Sequence, residues 1–253
     1  MLYKDGERCS LICKKGDDIR QDWCVQTLFH IFNELWRNSS LNPKPYIYTY
    51  KCVPICERFG VIEYVQNVTS AKDFDCSKLL PNNKEEFLST LAGSCVASYV
   101  LGIRDRHQDN MLIKDNKVFF HIDFGHLWNQ GPIIDAPRIS IPMRIKSAFT
   151  PEEWSIFELL CCNGFTVLLK YRDQIRLTCQ TLFNPITPNP IVVDQFVTGY
   201  NSLMMELNFD DAVVRFQRLL LKSLSNHHMR RKIKKWAHDF KTKGSQKSKS
   251  NEY

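Results

Sequence analysis

The stretch from Val100 to His126, VLGIRDRHQDNMLIKDNKVFFHIDFGH, limits what this chain can fold into more than any other segment. Two short apolar blocks, MLI and VFF, flank Asp115-Asn116 and predict a β-hairpin that turns at this pair. A tight turn would pair Asn110 with about His121. Adjacent strands lie about 4.8 Å apart, so the Asn110 amide and the Asp123 carboxylate could meet at one cation.

The side chains of this stretch favour phosphoryl-transfer chemistry. An amide oxygen and a carboxylate suit Mg²⁺, a hard ion that prefers oxygen ligands and leaves room for phosphate oxygens. The loop before the hairpin brings Asp105, Arg106 and His107 within reach of the same point. Metal ligands beside an acid–base pair are what phosphoryl transfer needs, because that reaction depends mainly on positioning and charge neutralisation. The alternative is an ordinary loop in which Asp105 and His107 form a hydrogen-bonded pair.

GIRDRHQDN followed by HIDFGH resembles the catalytic and activation loops of the phosphoinositide 3-kinase and 4-kinase family, which carries DRH where protein kinases carry HRD. KKGDDIRQD is similar to the family's K-x-GDDLRQD segment. The resemblance implies that Asn110 and Asp123 bind the metal. It places three residues in the catalytic loop, with His107 the preferred proton acceptor: Asp105, Arg106 and His107. His126, after Gly125, opens the activation loop.

The same resemblance assigns an ATP site. Lys14, at the end of a predicted strand over residues 8–14, would reach the ATP phosphates, and Asp22 would close the adenine pocket. Tyr50 belongs at the back of that pocket. The hinge GVIEYV supplies the adenine contacts, namely Ile62, Glu63 and Val65. The residues alone also allow a plainer interpretation, in which Lys14 extends to solvent and Asp22 caps a helix, although a lysine ending a buried strand is costly without an anion.

The pattern and the resemblance together predict an α+β, two-lobed protein-kinase-like fold with a truncated small β lobe and a mainly helical large lobe. A partial N-lobe with the lysine strand and hinge is expected at 1–65, a C-lobe at 66–241 and a disordered basic tail at 242–253. The remaining expected strands lie at about 49–53 and 59–65. The expected helices lie at about 18–37, 83–102, 151–162, 164–182, 190–207 and 210–225.

Local signals support several of these elements. Asp18 with Gln21 resembles a capping box, and the helix that follows would bury Trp23. Gly102 is a plausible cap for the helix that leads to the catalytic loop. Thr150-Pro151-Glu152-Glu153 is a strong helix start, with a Thr cap and Pro in the first position.

The segment after Asp123, FGHLWNQGPIIDAPRISIPMRIK, lacks periodicity and predicts a long activation loop. Family members that phosphorylate doubly phosphorylated inositol lipids usually carry a lysine cluster here, whereas this chain offers only Arg138, Arg144 and Lys146. Each phosphate on a head group must be met by cations. We therefore expect phosphatidylinositol or a monophosphorylated phosphoinositide as the acceptor lipid. The resemblance implies transfer to its 3-hydroxyl, with ATP and Mg²⁺ as cofactors.

The last predicted helix, from His227 to about Lys241, suits an anionic bilayer surface. Its single apolar stripe lies among basic residues and consists of Met229, Ile233, Trp236 and Phe240. KIKKWAHDFK also resembles the carboxy-terminal helix of phosphoinositide 3-kinases, although Met229 stands where the family often has tryptophan. Alternatively, the stripe packs back onto the lobe.

Composition favours a cytoplasmic protein that is peripheral on membranes. Apolar residues make up 43% of the chain and charged residues 24%, without an apolar run that could span a bilayer or an apolar signal core at the N-terminus. The ten cysteines lack CxxC spacing and mostly sit in apolar segments, which indicates reduced core residues. A net charge of +7 indicates an anionic partner, for which a membrane is preferred and nucleic acid is not expected.

Several alternatives stay open. The chain begins at the lysine strand, so the family's phosphate-covering loop is expected upstream, and the sequence represents a fragment, a truncated gene prediction or a reduced family member. We expect this polypeptide alone to bind ATP weakly and turn over slowly. Rival functions are a phosphatidylinositol 4-kinase, a related protein kinase, and an inactive kinase-fold fragment that acts as a binding module. The resemblance also allows a regulatory subunit.

Overall fold

The computed structural model describes residues 2–4, 7–132, 138–198 and 202–225, with side chains from Ser10 onward except that of Ser225. Within these ranges the strands are β1 (Leu2–Lys4), β2 (Glu7–Cys9), β3 (Leu11–Lys15), β4 (Cys52–Cys56), β5 (Phe59–Glu63), β6 (Val68–Ser70), β7 (Met111–Lys114) and β8 (Val118–His121). The helices are α1 (Arg20–Arg37), α2 (Lys84–Val100), α3 (Met143–Lys146), α4 (Pro151–Lys170), α5 (Arg172–Phe183), α6 (Pro190–Thr198) and α7 (Phe209–Ser225).

A small antiparallel sheet with strand order β3-β5-β4 carries Lys14. Lys14 lies opposite Gly60 of β5, so the two residues share a face of the sheet. Helix α1 enters against this face, because a Cβ added to Gly60 would lie 2.4 Å from Cδ1 of Ile19. Successive side chains alternate between the two faces of a strand. Leu11 and Cys13 therefore lie on the opposite, exposed face.

The start of the chain differs from the prediction in three ways. The single strand expected over 8–14 is two strands, since Ser10 separates β2, which pairs with β1, from β3. The capping box at Asp18 and Gln21 is wrong: α1 begins after Ile19, the Asp18 carboxylate accepts the Arg20 N–H at 3.0 Å, and Gln21 bonds elsewhere. Trp23 was expected in the buried face of α1 but is 42% exposed.

Helix α2 lies at the centre of the larger, mainly helical part of the molecule and is buried on all sides over Leu91–Val100. It packs against α4 and against β8 of the β6-β7-β8 sheet. The helix ends in a Schellman motif, with Gly102 at φ 59°, its N–H on Tyr99 O, and the Ile103 N–H on Ser98 O at 2.8 Å. The predicted glycine cap is confirmed. The helix ends there, and the predicted catalytic loop follows directly.

The helices after residue 150 follow the predicted order with altered bounds. The capping box is present, because the Thr150 side chain accepts the Glu153 N–H while Glu153 accepts the Thr150 N–H. The break expected at 163 is wrong. Helix α4 continues through Gly164, which lets Pro45 approach within 2.8 Å of where a Cβ would lie. Helix α7 joins this core through Phe216, which stacks on Phe165 with ring centroids 4.1 Å apart.

The predicted fold class is confirmed: the chain is an α+β protein with a small β lobe and a mainly helical large lobe. In the part of the chain that the structure describes, no helix is both long and apolar enough to cross a bilayer. The nine described cysteines are free thiols. The predicted helix from His227 and the tail at 242–253 lie outside the described residues.

Candidate active site

The β7–β8 hairpin brings the two predicted metal ligands to one end of the sheet. Its loop reverses at Asp115 and Asn116, which adopt φ values of 50° and 55°, as the sequence predicted. Met111 pairs with His121, so Asn110 lies opposite Ile122, one residue further along than expected. The Ile122 N–H donates to the Asn110 carbonyl at 3.2 Å. Asp123 therefore follows immediately after the residue that faces Asn110.

The two ligand side chains differ in their surroundings. The Asn110 side chain is buried, and its amide nitrogen donates to the Asp105 carbonyl at 3.2 Å. That bond leaves the amide oxygen for a ligand. Asp123 is exposed, has a φ of 61°, and accepts the Gly125 N–H at 3.3 Å. The hairpin end thus offers one fixed amide oxygen and one accessible carboxylate.

Arg106 holds the backbone around Asp123. Its buried guanidinium donates to the Ile122 carbonyl at 2.7 Å and to the Asp123 carbonyl. Its Nε donates to the Arg104 carbonyl at 2.9 Å, and the group lies over the Phe124 ring at 5.7 Å. Because the charge is directed at main-chain carbonyls, we propose that Arg106 positions the site.

His107 lies between two carboxylates. Its Nε2 is 3.6 Å from Oδ2 of Asp105, and its Nδ1 is 3.7 Å from Oδ2 of Asp109. Nδ1 also accepts the Asp109 N–H at 3.3 Å. A neutral imidazole that accepts at Nδ1 carries its proton on Nε2, which faces Asp105. The ring is partly exposed, so a substrate hydroxyl can reach the pair.

Helix α1 holds the residue that follows Asp123. The Gln21 side chain donates to the Phe124 carbonyl at 2.6 Å, and Asp22 accepts the Phe124 N–H at 3.4 Å. The Phe124 ring is buried edge-on against Phe29, with centroids 5.4 Å apart. Burial raises the pKa of Asp22 to about 6; the Phe124 N–H opposes this shift and the Asp123 charge adds to it. The Asp22 carboxylate therefore lies close to Asp123, the predicted metal ligand.

Tyr50 occupies the position behind this carboxylate. It is buried, its N–H donates to Oε1 of Gln26 at 3.2 Å, and its ring lies 6.2 Å from that of Phe120. Burial raises the pKa of Tyr50 well above 10, and the Asp22 charge acts in the same direction.

The hinge strand leaves one main-chain donor for a ligand. Glu63 is engaged with Lys51 through its N–H and through a carboxylate oxygen 2.9 Å from the Lys51 N–H. The Tyr64 N–H donates to Ser10 O at 3.1 Å. Among the described residues the Val65 N–H meets no acceptor. Ile62 shares the sheet face of Lys14, because it lies two residues from Gly60.

Lys14 and His126 lie at the open margins of the site. The Lys14 ammonium is 45% exposed and lies 3.5 Å from an Asp17 carboxylate oxygen. His126 is exposed, its Nδ1 lies 3.2 Å from the Gln130 carbonyl, and its own carbonyl accepts the Arg104 N–H at 2.8 Å. His126 is therefore attached to the catalytic loop through the backbone, with its ring directed outward.

Comparisons with known proteins show the family of this chain. The family model for phosphatidylinositol 3- and 4-kinase matches residues 8–81 and 72–191. The chain belongs to the phosphatidylinositol 3- and 4-kinase family. It is 28% identical over 239 residues to the phosphatidylinositol 3-kinase VPS34 of Candida glabrata, which covers 85% of this chain and 26% of the relative.

Two further relatives are also named as phosphatidylinositol 3-kinases. The phosphatidylinositol 3-kinase VPS34 of Saccharomyces cerevisiae is 29% identical over 242 residues, covering 85% of this chain and 27% of the relative. The phosphatidylinositol 3-kinase piki-1 of Caenorhabditis elegans is 26% identical over 257 residues, covering 87% of this chain and 16% of the relative. The chain thus spans about a quarter or less of these relatives.

Membership of this kinase family implies ATP as the phosphoryl donor and, typically, a divalent metal. The donors at the hairpin end fit such an ion, since both are hard oxygen ligands: the free amide oxygen of Asn110 and the carboxylate of Asp123. The Val65 N–H suits a main-chain hydrogen bond to adenine.

Sequence reasoning missed three residues that shape the site: Gln21, Gln26 and Asp109. Gln21 stands inside the kinase motif KKGDDIRQD, but we interpreted it as part of a helix cap. Its actual acceptor is the Phe124 carbonyl, 103 positions away. Only the neighbouring motif could have indicated a role beyond the helix end.

Proposed function

We propose that this kinase-family chain transfers the γ-phosphoryl group of ATP to the 3-hydroxyl of phosphatidylinositol or of a monophosphorylated phosphoinositide. The observation that carries the proposal is the hairpin end. There Asn110 faces Ile122, and Arg106 fixes the carbonyls of Ile122 and Asp123. A prepositioned pair of oxygen ligands is what phosphoryl transfer requires of the protein.

In this proposal each group has a distinct task. Asn110 and Asp123 hold Mg²⁺, which when bound neutralises charge on the phosphates. Lys14 leaves Asp17 to contact the phosphate oxygens. The inositol hydroxyl oxygen attacks the γ-phosphorus while the bond from that phosphorus to the β–γ bridging oxygen breaks, and ADP leaves. The hydroxyl proton passes to the Asp105 carboxylate of the Asp105–His107 pair, and not to the ring preferred from the sequence, because Nδ1 of His107 accepts the Asp109 N–H and its Nε2 carries the ring proton.

The activation loop supports a head group of low charge. The Arg138 side chain hydrogen-bonds to Tyr99, and Arg144 donates to the Ala71 carbonyl. The Lys146 ammonium lies 5.3 Å from the Trp154 ring centroid. Every cation of this segment is therefore engaged with the large lobe, whereas each added phosphate on a lipid requires cations of its own. This favours phosphatidylinositol and its monophosphates over the bisphosphate.

We further propose that the chain works in the cytoplasm at a membrane surface, where its lipid substrate resides. The net charge of +7 supports an anionic surface, with the segment from His227 to about Lys241 as the contact. The division into 1–65, 66–241 and 242–253 is retained as part of the proposal. A regulatory subunit is compatible with it, and nucleic acid is not required.

The test is a lipid kinase assay on vesicles that contain phosphatidylinositol, its monophosphates and the bisphosphate, with head-group analysis of the labelled products. We expect mainly 3-phosphorylated products of the first two lipids. Asp123→Asn should lower the rate by about 100-fold or more, because a charged metal ligand is lost. Asp115→Asn is the matched control, since this carboxylate lies at the far end of the same hairpin. Mainly trisphosphate product, or equal rates for both variants, would refute the proposal.

One observation favours a second candidate, an inactive kinase fold that binds nucleotide. All five residues of β3 are exposed, and Lys14 is paired with Asp17 instead of a residue of the hairpin end. Thermal denaturation with ATP, with and without Mg²⁺, separates the two. A Mg²⁺-dependent stabilisation without any phosphorylated lipid supports the binding module, and 4-phosphorylated product would indicate the 4-kinase.

A further inference from the structure

Three main-chain hydrogen bonds join the catalytic loop to the start of the activation loop. The Arg104 N–H donates to His126 O at 2.8 Å, the Trp128 N–H to Leu101 O at 3.2 Å, and the Asn129 N–H to Gly102 O at 2.8 Å. We name these bonds the loop bridge. They connect the segment that carries the Asp105–His107 pair to the segment that follows Asp123, so the bridge sets the spacing of the two halves of the site.

Trp128 holds this bridge in an unusual backbone conformation. Trp128 and Asn129 have φ values of 58° and 60°. Asparagine tolerates this left-handed region, but a bulky residue there is an outlier and glycine fits best. A tryptophan in such a conformation persists only where the surrounding structure over-determines it. The strain therefore indicates that the indole has a packing role that a glycine could not fill.

The packing role is visible in two aromatic contacts. The Trp128 side chain is 8% exposed. It meets Phe183, at the end of α5, edge-on with centroids 4.8 Å apart, and Phe196 of α6 with centroids 5.2 Å apart. Buried aromatic pairs of this kind stabilise beyond their contact area. Helices α5 and α6, which carry none of the site residues, thus contact the activation loop through the Trp128 side chain.

Gly102 shows how closely the bridge and this aromatic contact fit together. A Cβ on Gly102 would lie 2.6 Å from the Asn129 nitrogen and 2.7 Å from Cε2 of Phe196. Neither the bridge nor the α6 ring can therefore move toward the catalytic loop without collision.

We propose that Trp128 is a positioning residue for phosphoryl transfer. Its indole, held between Phe183 and Phe196, keeps the loop bridge formed, and the bridge keeps Asp105 and His107 in register with Asp123 and His126. The kinetic part of this inference rests on the proposed lipid kinase function, whereas the structural part does not. The Trp128 side chain is buried against Phe183 and Phe196, so it acts on the site through the bridge.

Hydrogen exchange of the 253-residue chain tests the structural part without turnover. We expect Trp128→Ala to raise exchange at the Arg104 and Asn129 amides by about tenfold or more, with α2 unchanged. Trp154→Ala is the matched control, because Trp154 is similarly buried at 6% exposed and meets Phe157 at 4.5 Å, in α4. It should lower global stability without selectively opening the bridge. Unchanged exchange at the bridge in Trp128→Ala would overturn the proposal.

Lipid kinase kinetics test the positioning part. We expect Trp128→Ala to lower kcat about 10- to 100-fold, as for a reacting group displaced by about 1 Å, with the KM for ATP unchanged. Trp128→Phe keeps a ring between the two phenylalanines and should restore most of kcat. Trp128→Gly relieves the backbone strain without restoring the contact, and should stay impaired. A parallel loss in Trp154→Ala, or full activity in Trp128→Gly, would refute the positioning role. If the unaltered chain phosphorylates no lipid, the proposed function fails while the exchange result still decides the role of Trp128.

Discussion

The hairpin end in the large lobe and the β3 strand in the small sheet are the two halves of the proposed site, and they are built differently. Around the hairpin, Arg106 and Asn110 are buried and bonded to main-chain carbonyls: Arg106 to Ile122 of the opposing strand end, and the Asn110 amide to Asp105 of the preceding loop. On β3 every side chain is exposed, and the Lys14 ammonium pairs with the Asp17 carboxylate in the loop that follows the strand. The proposed metal ligands thus lie in a segment supported by the core, whereas the proposed phosphate contact lies on an exposed strand.

This contrast has a physical origin in how each half is supported. The hairpin lies against α2, a helix buried on all sides, and buried polar groups there must find partners. Among the described strands, β3 has one sheet neighbour, β5, and its outer face carries exposed Leu11 and Cys13. We therefore expect substitutions in the two halves to act on different observables.

The largest expected effect is on the packing of the large lobe. A Cβ on Gly93 would lie 2.1 Å from the Tyr46 carbonyl oxygen, which is backbone and cannot yield like a side chain. Gly93→Ala should therefore lower the free energy of unfolding by about 3 kcal/mol, measured by urea denaturation. Gly16→Ala, beside β3, is the comparison: its Cβ meets nothing within 4 Å and only the φ of 93° opposes it, so about 1 kcal/mol is expected. Equal losses would break the contrast between the halves.

Local signals explain why parts of the large lobe could be predicted. The turn at Asp115-Asn116, the glycine cap at Gly102 and the capping box at Thr150 each depend on residues within a few positions. Long-range contacts explain the errors. Helix α4 continues through Gly164, whose missing side chain leaves room for Pro45, more than a hundred residues away in the sequence. Gln21 does not cap α1, since it bonds the Phe124 carbonyl.

In the candidate site, too, residue identities could be predicted from local motifs, whereas long-range contacts could not. The motifs named Asn110, Asp123, Lys14 and their neighbours, because spaced residue types carry the family resemblance. They could not show that the Arg106 charge is directed at the Ile122 and Asp123 carbonyls. Nor could they show that the three cations of the activation loop pair with the large lobe, since those partners lie on other elements.

The next prediction concerns the exposed half. Lys14→Met should lower lipid kinase turnover about 100-fold, because a cation on the phosphates is lost. It should leave thermal stability nearly unchanged, since the ammonium is 45% exposed and its partner Asp17 is more so. Lys15→Met is the matched control: this lysine stands on the same strand, opposite Phe59, on the other sheet face. A stability loss in Lys14→Met would show that the Lys14 side chain supports the fold. Equal activity losses in both variants would show that Lys14 has no specific role at the phosphates.

A smaller effect, seen through pH, tests whether the core behind the hairpin is closed. His121 is fully buried, with Nδ1 2.8 Å from Oγ of Ser98 and Nε2 without a partner in the described structure. Burial, and then the Arg106 charge, lowers the pKa of His121 well below 6.5. Above pH 6.5 the ring is neutral in both states. Below it the unfolded chain takes up the proton first, so stability falls as pH falls, by about 1.4 kcal/mol per pH unit.

Urea denaturation from pH 7.5 to pH 5 measures this slope. The difference between the unaltered chain and His121→Gln should be flat above pH 6.5 and should decline below it. Ser98→Ala removes the hydrogen bond to His121 but keeps the ring buried. Because burial is the main cause of the lowered pKa, the slope should persist. A flat difference down to pH 5 would mean that the core opens to water behind the hairpin.

The smallest expected effect, one of labelling without loss of stability, separates the two faces of the small sheet. Cys13 is exposed on the outer face. Cys52 lies opposite Ile62 on the face of Lys14, and burial, followed by the Asp22 and Glu63 charges, raises the pKa of its thiol to about 12. Since the thiolate is the reactive form, brief alkylation followed by peptide mapping should label Cys13 and leave Cys52 unlabelled until the chain unfolds. Cys13→Ser should remove the rapid label from the peptide that contains this position, and it should leave the melting temperature unchanged. If Cys52 reacts as fast as Cys13, the sheet face that carries Lys14 is as accessible to solvent as the outer face.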